Sequence, residues 1–173
     1  MIIFSLDGVL ADCEHRRHLV DWHKTDYSIP YCNWQPDYQA YNEACDKDEV
    51  VEPIAVVLRR FEREREIQIW SDRPESLRQK TLDWIFYSGI AFPNNITLKL
   101  RPIGDTTPEH QLKEKWLDEN IEMINGKRHC RNQGCNHYKC GNPIDFVFES
   151  DPKSIEMWKR RGVFVFDVNQ GRE

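Results

Sequence analysis

Two polar side chains, Ser5 and Asp7, stand near the start of the chain where an apolar run stops. The run begins at Ile2, is halted by Asp7-Gly8 and closes at Asp12. Such a run is typical of a buried strand in a parallel sheet, and open α/β sheets carry their sites at the carboxyl ends of these strands. A carboxylate there is suited to proton transfer, whereas a serine hydroxyl is a weak nucleophile unless a base deprotonates it.

A second group of chemically capable residues lies between positions 129 and 141, where three cysteines and two histidines occur among glycines and asparagines. Zinc binds four such ligands tetrahedrally, and thiolates could hold a small loop closed. The favoured ligand set is Cys130, Cys135, His137 and Cys140, with His129 as a substitute. The spacing is not a common knuckle form, so free thiols are the alternative. A structural zinc in an insert at 126–142 is therefore the expectation.

Alternating strands and helices must position these side chains. Apolar runs that end at turn residues predict strands from Ile2 and at 67–70, 96–101, 144–148 and 163–166. Helical spacing predicts helices at 53–61 and 75–87, with further helices after residue 108 and after residue 151. Polar residues follow several of these strands, so we expect their side chains to meet at one edge of the sheet.

Composition limits the classes of protein that this chain can belong to. Its 173 residues are 39% hydrophobic and 31% charged with a net charge of −5, which indicates a soluble globular chain with one core rather than a general polyanion binder. No apolar run has membrane-spanning length and no signal peptide is evident, so a cytoplasmic location without membrane contact is expected. In that compartment the six cysteines favour thiols or metal ligands over disulfides.

Four short motifs, in order, resemble those of the haloacid dehalogenase (HAD) superfamily of phosphohydrolases. The first family motif, Asp-x-Asp-Gly-(Thr/Val)-Leu, aligns with residues 5–10, so Ser5 takes the place of the nucleophilic Asp and Asp7 that of the general acid/base. The second aligns with residues 71–74, so the resemblance implies that the Ser71 hydroxyl donates to a phosphoryl oxygen. Arg73 in this motif is an implied substrate-binding residue.

The third and fourth motifs complete the resemblance. Arg101, Gly104-Asp105 and Lys113 match the family pattern, which implies that Lys113 neutralises charge during phosphoryl transfer and that Arg101 contributes to substrate binding. In the fourth motif Glu149 takes the place of the metal-binding acid, while Ser150 replaces a second acid. The implied magnesium ligands are Asp7, Glu149 and Asp151.

The segment at 14–52 is too long for an ordinary connection, and long loops are often lids or binding loops. The resemblance places a small cap here, within a single HAD-like domain at 1–173. Its pattern of Trp34, Tyr38, Tyr41 and Asp48 is similar to that of phage and bacterial proteins related to the phosphatase domain of polynucleotide kinase. The tyrosines either stack on a base or pack the cap onto the core. Arg16 and Arg17 either form a solvated helix face or bind phosphate.

The resemblance therefore implies an α/β fold with a HAD-like Rossmannoid parallel sheet flanked by helices. It also implies a magnesium-dependent phosphatase acting on a nucleotide or a polynucleotide 3′-phosphate. Because Ser5 lacks the carboxylate of the nucleophile, we expect the rate of the chemical step to be lower by a factor on the order of a million. The alternative is an inactive HAD-fold protein that binds a nucleotide or nucleic-acid end.

Overall fold

A parallel sheet forms the centre of the molecule. The computed structural model describes residues 1–21, 35–126 and 144–169. Within these residues the strands of the sheet are β1 (Ile2–Ser5), β4 (Ile67–Pro74), β5 (Ile96–Arg101), β6 (Phe146–Glu149) and β7 (Val165–Asp167). Their order in the sheet is β5-β4-β1-β6-β7, and every neighbouring pair is parallel. The expected α/β Rossmannoid architecture is confirmed.

Helices cover both faces of this sheet. Period-two alternation in β1 sends Ile2 and Phe4 into one apolar cluster and Ile3 into the other. The first cluster includes residues of α2 (Glu52–Phe61) and α3 (Arg78–Tyr87), and the second includes residues of α4 (Glu109–Gly126) and α5 (Pro152–Arg160). Ser5, two residues after Ile3, therefore lies on the α4 side of the sheet.

The predicted helices agree with the structure to within a few residues, because their ends carry clear signals. Proline stands in the first turn of α2 and of α5, where its missing N–H costs nothing. The Asp151 side chain accepts from the backbone N–H of Ser154 and caps α5. The strand predicted at 67–70 is longer than expected, since β4 continues through Pro74 and carries Ser71 and Arg73 within it.

The two ends of the segment after β1 pair with each other in a second, two-stranded sheet. Strand β2 (Ala11–Asp12) pairs antiparallel with β3 (Glu49–Val50). Between them the described residues form a 3₁₀ helix at Glu14–Leu19, the short α1 (Tyr38–Glu43) and a 3₁₀ turn at Ala44–Lys47. Among the described helices, none is long and apolar enough to cross a membrane.

Candidate functional site

Ser5, at the end of β1, is held by a buried lysine from α4. Lys113 Nζ donates to Ser5 Oγ at 2.9 Å and lies 2.7 Å from Glu149 Oε2 and 2.5 Å from Glu109 Oε1. Ser5, Lys113 and Glu149 are each no more than 2% exposed. Burial lowers the pKa of Lys113, but the carboxylates of Glu149 and Glu109 raise it more, so it lies above its usual range. The ammonium therefore stays charged and cannot deprotonate Ser5.

The Glu149 carboxylate is fully engaged. Oε1 accepts from the backbone N–H groups of Ser150 at 2.9 Å and Asp151 at 3.2 Å. Oε2 accepts from Lys113 and, at 3.4 Å, from Trp158 Nε1. Four donors satisfy this carboxylate inside the protein, which is what a buried charge requires.

Asp7 lies between two buried arginines. Its Oδ1 is 2.6 Å from Nη2 of Arg16 and 2.6 Å from Nη2 of Arg73, and Ser71 Oγ donates to its Oδ2 at 2.9 Å. Burial raises the pKa of Asp7, but the charges and hydrogen bonds of Arg73, followed by the charge of Arg16, lower it well below the usual range. This arrangement favours the ionised form of Asp7.

Asp48 is the functional-site residue to which the sequence motifs assigned no role. Its fully buried carboxylate is 2.7 Å from Arg16 Nε and 2.5 Å from Arg73 Nη2, and His15 Nε2 lies 2.9 Å away. Its backbone carbonyl accepts from Trp84 Nε1 at 2.9 Å. Asp48 could have been identified as a site residue from the similarity of residues 34–53 to the polynucleotide kinase phosphatase pattern, which includes this Asp. Asp48 ties the segment at 14–52 to the site.

A polar cavity of about 870 Å³ opens above the carboxyl edge of the sheet. All four arginines expected to bind substrate lie in its wall, and they differ in how far they are buried. Arg16 and Arg73 are buried in their ion pairs, so the solvated-face alternative is wrong for Arg16. Arg17, in contrast, is 56% exposed, and its Nη1 lies 3.8 Å from a Glu14 carboxylate oxygen. Arg101 donates to the backbone carbonyl of Asp72 at 3.0 Å.

Arg73 carries a buried donor that is not satisfied. Its Nε and Nη2 bind Asp7 and Asp48, whereas its Nη1 has no hydrogen-bond partner among the described residues and is inaccessible to solvent. A buried guanidinium nitrogen without an acceptor is costly. Arg73 lines the cavity, and an oxygen of a bound phosphate, the acceptor that arginine suits best, would reach Nη1 only if the side chains around this atom moved.

Two further carboxyls in the cavity wall titrate abnormally. Burial, and then the charge of Asp7, raise the pKa of Asp72, against the opposing charge of Lys113. Burial also raises the pKa of Glu109, to about 7, although Lys113 opposes the rise. A carboxyl with a pKa near neutrality can exchange protons at physiological pH.

The residues expected to bind magnesium do not fit the ion in this arrangement. The oxygens of Glu149 are saturated, Ser5 offers no carboxylate, and the backbone carbonyl of Asp7 accepts from Ser150 Oγ at 3.3 Å. The Asp151 carboxylate caps α5. One ligand atom each from Asp7, Cys13 and Asp48 lies within 4.8 Å of the others. The guanidiniums of Arg16 and Arg73 already contact both of these carboxylates, which disfavours a cation there.

The cysteine and histidine ligands expected for zinc lie outside the described residues. The remaining motif residues do converge. Ser5 and Asp7 lie at or just beyond the end of β1, Ser71 lies within β4, Glu149 ends β6, and Lys113 lies on the facing helix α4. The motifs separated by up to 144 residues in the chain are therefore neighbours in space. This convergence is what the sequence predicted, but Arg16 and Arg73, expected to bind substrate, are buried in ion pairs with Asp7 and Asp48.

Comparison with known proteins identifies solved structures with a similar fold. No protein-family model matches the sequence, and no curated protein matches it. The fold is similar to that of a chain of the Pnkp1/Rnl/Hen1 complex, with a TM-score of 0.63, 19% identity and coverage of 96% of this chain and 45% of that one. A chain of the Pnkp1/Rnl/Hen1 RNA repair complex has a TM-score of 0.61 with 20% identity, and coverage is 96% and 41%.

A candidate phosphatase from Clostridium difficile is also similar, with a TM-score of 0.58, 12% identity and coverage of 96% of this chain and 83% of that one. The chain spans less than half of the length of the two repair-complex chains. The sequence identities to these structures are too low for an activity to be transferred to this chain. The structural similarity establishes the architecture. The chain has an α/β Rossmannoid fold similar to that of these three structures.

Proposed function

We propose that this chain binds the phosphorylated end of a nucleotide or nucleic acid in the cavity at the carboxyl edge of the sheet, and does not hydrolyse it through a phosphorylated enzyme. The observation that carries this proposal is the closed set of contacts among Ser5, Lys113 and Glu149. In the HAD mechanism this location needs a free carboxylate to attack phosphorus and an acid to hold magnesium.

The chemistry of these three residues argues against nucleophilic attack. Ser5 is 2% exposed and its Oγ accepts from an ammonium, which stabilises the hydroxyl oxygen's lone pairs rather than removing its proton. The nearby Asp7 is an ionised carboxylate held by two arginines and Ser71, so it is not placed to act as a base for Ser5 or as an acid for a leaving oxygen. A phosphomonoester in the cavity would remain intact.

The same cavity has the donors that a phosphate requires. Arg73, which has one unsatisfied buried donor, lines the cavity together with the exposed Arg17 and the partly buried Arg101. Guanidinium groups form forked, charge-assisted hydrogen bonds with phosphate oxygens. Similarity to chains of an RNA repair complex supports a nucleic-acid end as the carrier of that phosphate.

Hydrolysis by a magnesium-dependent HAD mechanism is the second candidate. It is favoured by one observation, the preserved geometry of the other motif residues: Ser71 Oγ contacts Asp7 at 2.9 Å, and Lys113 reaches the side chain at the nucleophile's position. An aspartate in place of Ser5 would meet this lysine and restore a nucleophile.

A paired assay separates the two candidates. This chain and its Ser5→Asp variant are incubated with magnesium and a panel of nucleoside monophosphates and 3′-phosphorylated oligonucleotides, with phosphate release as the readout. Binding of the same panel to the unmodified chain is measured by calorimetry. We expect the unmodified chain to bind members of the panel and neither protein to release phosphate, because two arginines hold Asp7 and the Glu149 oxygens are already engaged. Release by Ser5→Asp alone would show that only the nucleophile is missing. Phosphate release by the unmodified chain, or no binding of any member of the panel, would overturn the proposal.

A further inference from the structure

The geometry points to a nucleobase subsite at the mouth of the cavity, formed by the ring of Tyr38 and the amide of Asn42 on one face of α1, with Arg17 beside them. This inference rests on the proposed function, because it identifies what the bound phosphate is attached to. It concerns a part of the cavity that the motif residues do not form.

The two tyrosines of α1 are in different environments. Tyr41 is half-buried, and its ring stacks on the Arg16 guanidinium, whose Cζ is 4.1 Å from the ring centroid. Tyr38 lines the same cavity but is 63% exposed. The contact with the Arg16 guanidinium thus accounts for Tyr41, whereas the Tyr38 ring is open to solvent. An exposed aromatic ring in the wall of a polar cavity is suited to stack on a planar ligand.

Helical geometry places a polar group beside this ring. Tyr38 and Asn42 are four residues apart in α1, so their side chains lie on the same face, and both line the cavity. A carboxamide offers two donors and one acceptor oxygen, which is the complement of a base edge. Arg17, 56% exposed in the same wall, can stack on a base or pair with a second phosphate.

The size of the cavity supports an occupant larger than phosphate. At about 870 Å³ it lies in the range of clefts that enclose a whole organic ligand, roughly 300–1,000 Å³. The buried phosphate-binding candidate, Arg73, and the exposed Tyr38 line the same continuous space. A nucleotide has a charged end for the first and an aromatic end for the second.

The test compares three probes by calorimetry: inorganic phosphate, ribose 5-phosphate and adenosine 5′-monophosphate. The proteins are the unmodified chain, Tyr38→Ala, Tyr38→Phe and a matched control, Tyr87→Ala, which removes a tyrosine that is 82% exposed and lies outside this cavity. Because base stacking is lost with the ring, Tyr38→Ala should weaken adenosine monophosphate binding by roughly 5- to 150-fold. Tyr38→Phe and Tyr87→Ala should bind it as the unmodified chain does, and ribose 5-phosphate should bind all four proteins equally.

Two patterns of failure are distinguishable. If phosphate or ribose 5-phosphate binds, but adenosine monophosphate binds no more tightly than ribose 5-phosphate or is unaffected by Tyr38→Ala, the base subsite is refuted and the phosphate site stands. If none of the three probes binds to a chain whose circular dichroism shows it folded, the proposed function and the base subsite are both refuted.

Discussion

Replacing Lys113 by methionine should destabilise the protein by about 3 kcal/mol. The substitution keeps the volume of the side chain but removes the ammonium that contacts Ser5, Glu149 and Glu109. Glu149 is 1% exposed, and removal of one partner from a buried ion pair costs about 3–5 kcal/mol. Two backbone N–H groups would still bind Glu149 Oε1, so the lower end of this range is expected.

The free energy of unfolding is best measured by urea denaturation at pH 7, followed by the fluorescence of the buried tryptophans, since an ionic denaturant would screen the charges. The matched control is Lys115→Met, on the same helix but exposed, which should change stability by no more than about 0.5 kcal/mol. The double variant Lys113→Met/Glu149→Gln should lose less stability than the sum of its two single variants, because no unpaired charge remains buried.

Two results would refute this reasoning. A cost below about 1 kcal/mol for Lys113→Met would mean that the ammonium does not neutralise Glu149 in the folded protein. Strict additivity of the two single substitutions would mean that the two side chains do not interact, since contacting charged residues normally show a coupling energy of about 0.5–3 kcal/mol.

Three further substitutions test other contacts. Because burial raises the pKa of Glu109 to about 7 from 4.5, the protein should lose on the order of 1–3 kcal/mol of stability as pH rises from below 4.5 through 7, and urea titrations of Glu109→Gln should lack this loss. Gly8 has a φ of 77° and an added Cβ would lie 2.5 Å from Ser150 Oγ, so Gly8→Ala should cost about 2 kcal/mol or more in thermal unfolding, against about 1 kcal/mol for Gly89→Ala, where φ is 67° and space is open. Asp48→Asn should cost about 3–5 kcal/mol in urea because it removes a buried carboxylate shared by two guanidiniums, and equal stability would show that the network is dispensable.

Local pattern was sufficient to predict the elements of the sheet and the position of the site. The apolar strand before Ser5 and the helix bearing Lys113 each carry their own signals, and the parallel topology then brings their ends together. The lysine was expected beside the residue at the nucleophile's position, and its Nζ contacts the Ser5 hydroxyl.

The pairing of charges could not be predicted in the same way. Arg16 and Arg73 were expected to face a phosphate, yet each forms ion pairs with Asp7 and Asp48. These partners are separated by between 9 and 66 residues. No periodicity specifies such pairs, because they depend on how the segment at 14–52 folds back onto the sheet. The same limit applies to the length of β4, which extends beyond its apolar run because its backbone pairs with β5 at Ser71 and, after an irregularity, at Pro74.

The central position of β1 in the sheet has a consequence for strand pairing during synthesis on the ribosome. Ile2 pairs on one side with Ile67 and on the other with Phe146, 144 residues later in the chain. At about 5–20 residues per second, synthesis from the first of these strands to the last takes roughly 7–29 s. During this time β1 can pair with β4, but its second edge has no partner. If β1 pairs with β4 during this time, the half-sheet exposes one unpaired apolar edge until β6 is synthesised, and such an edge is able to pair with other chains.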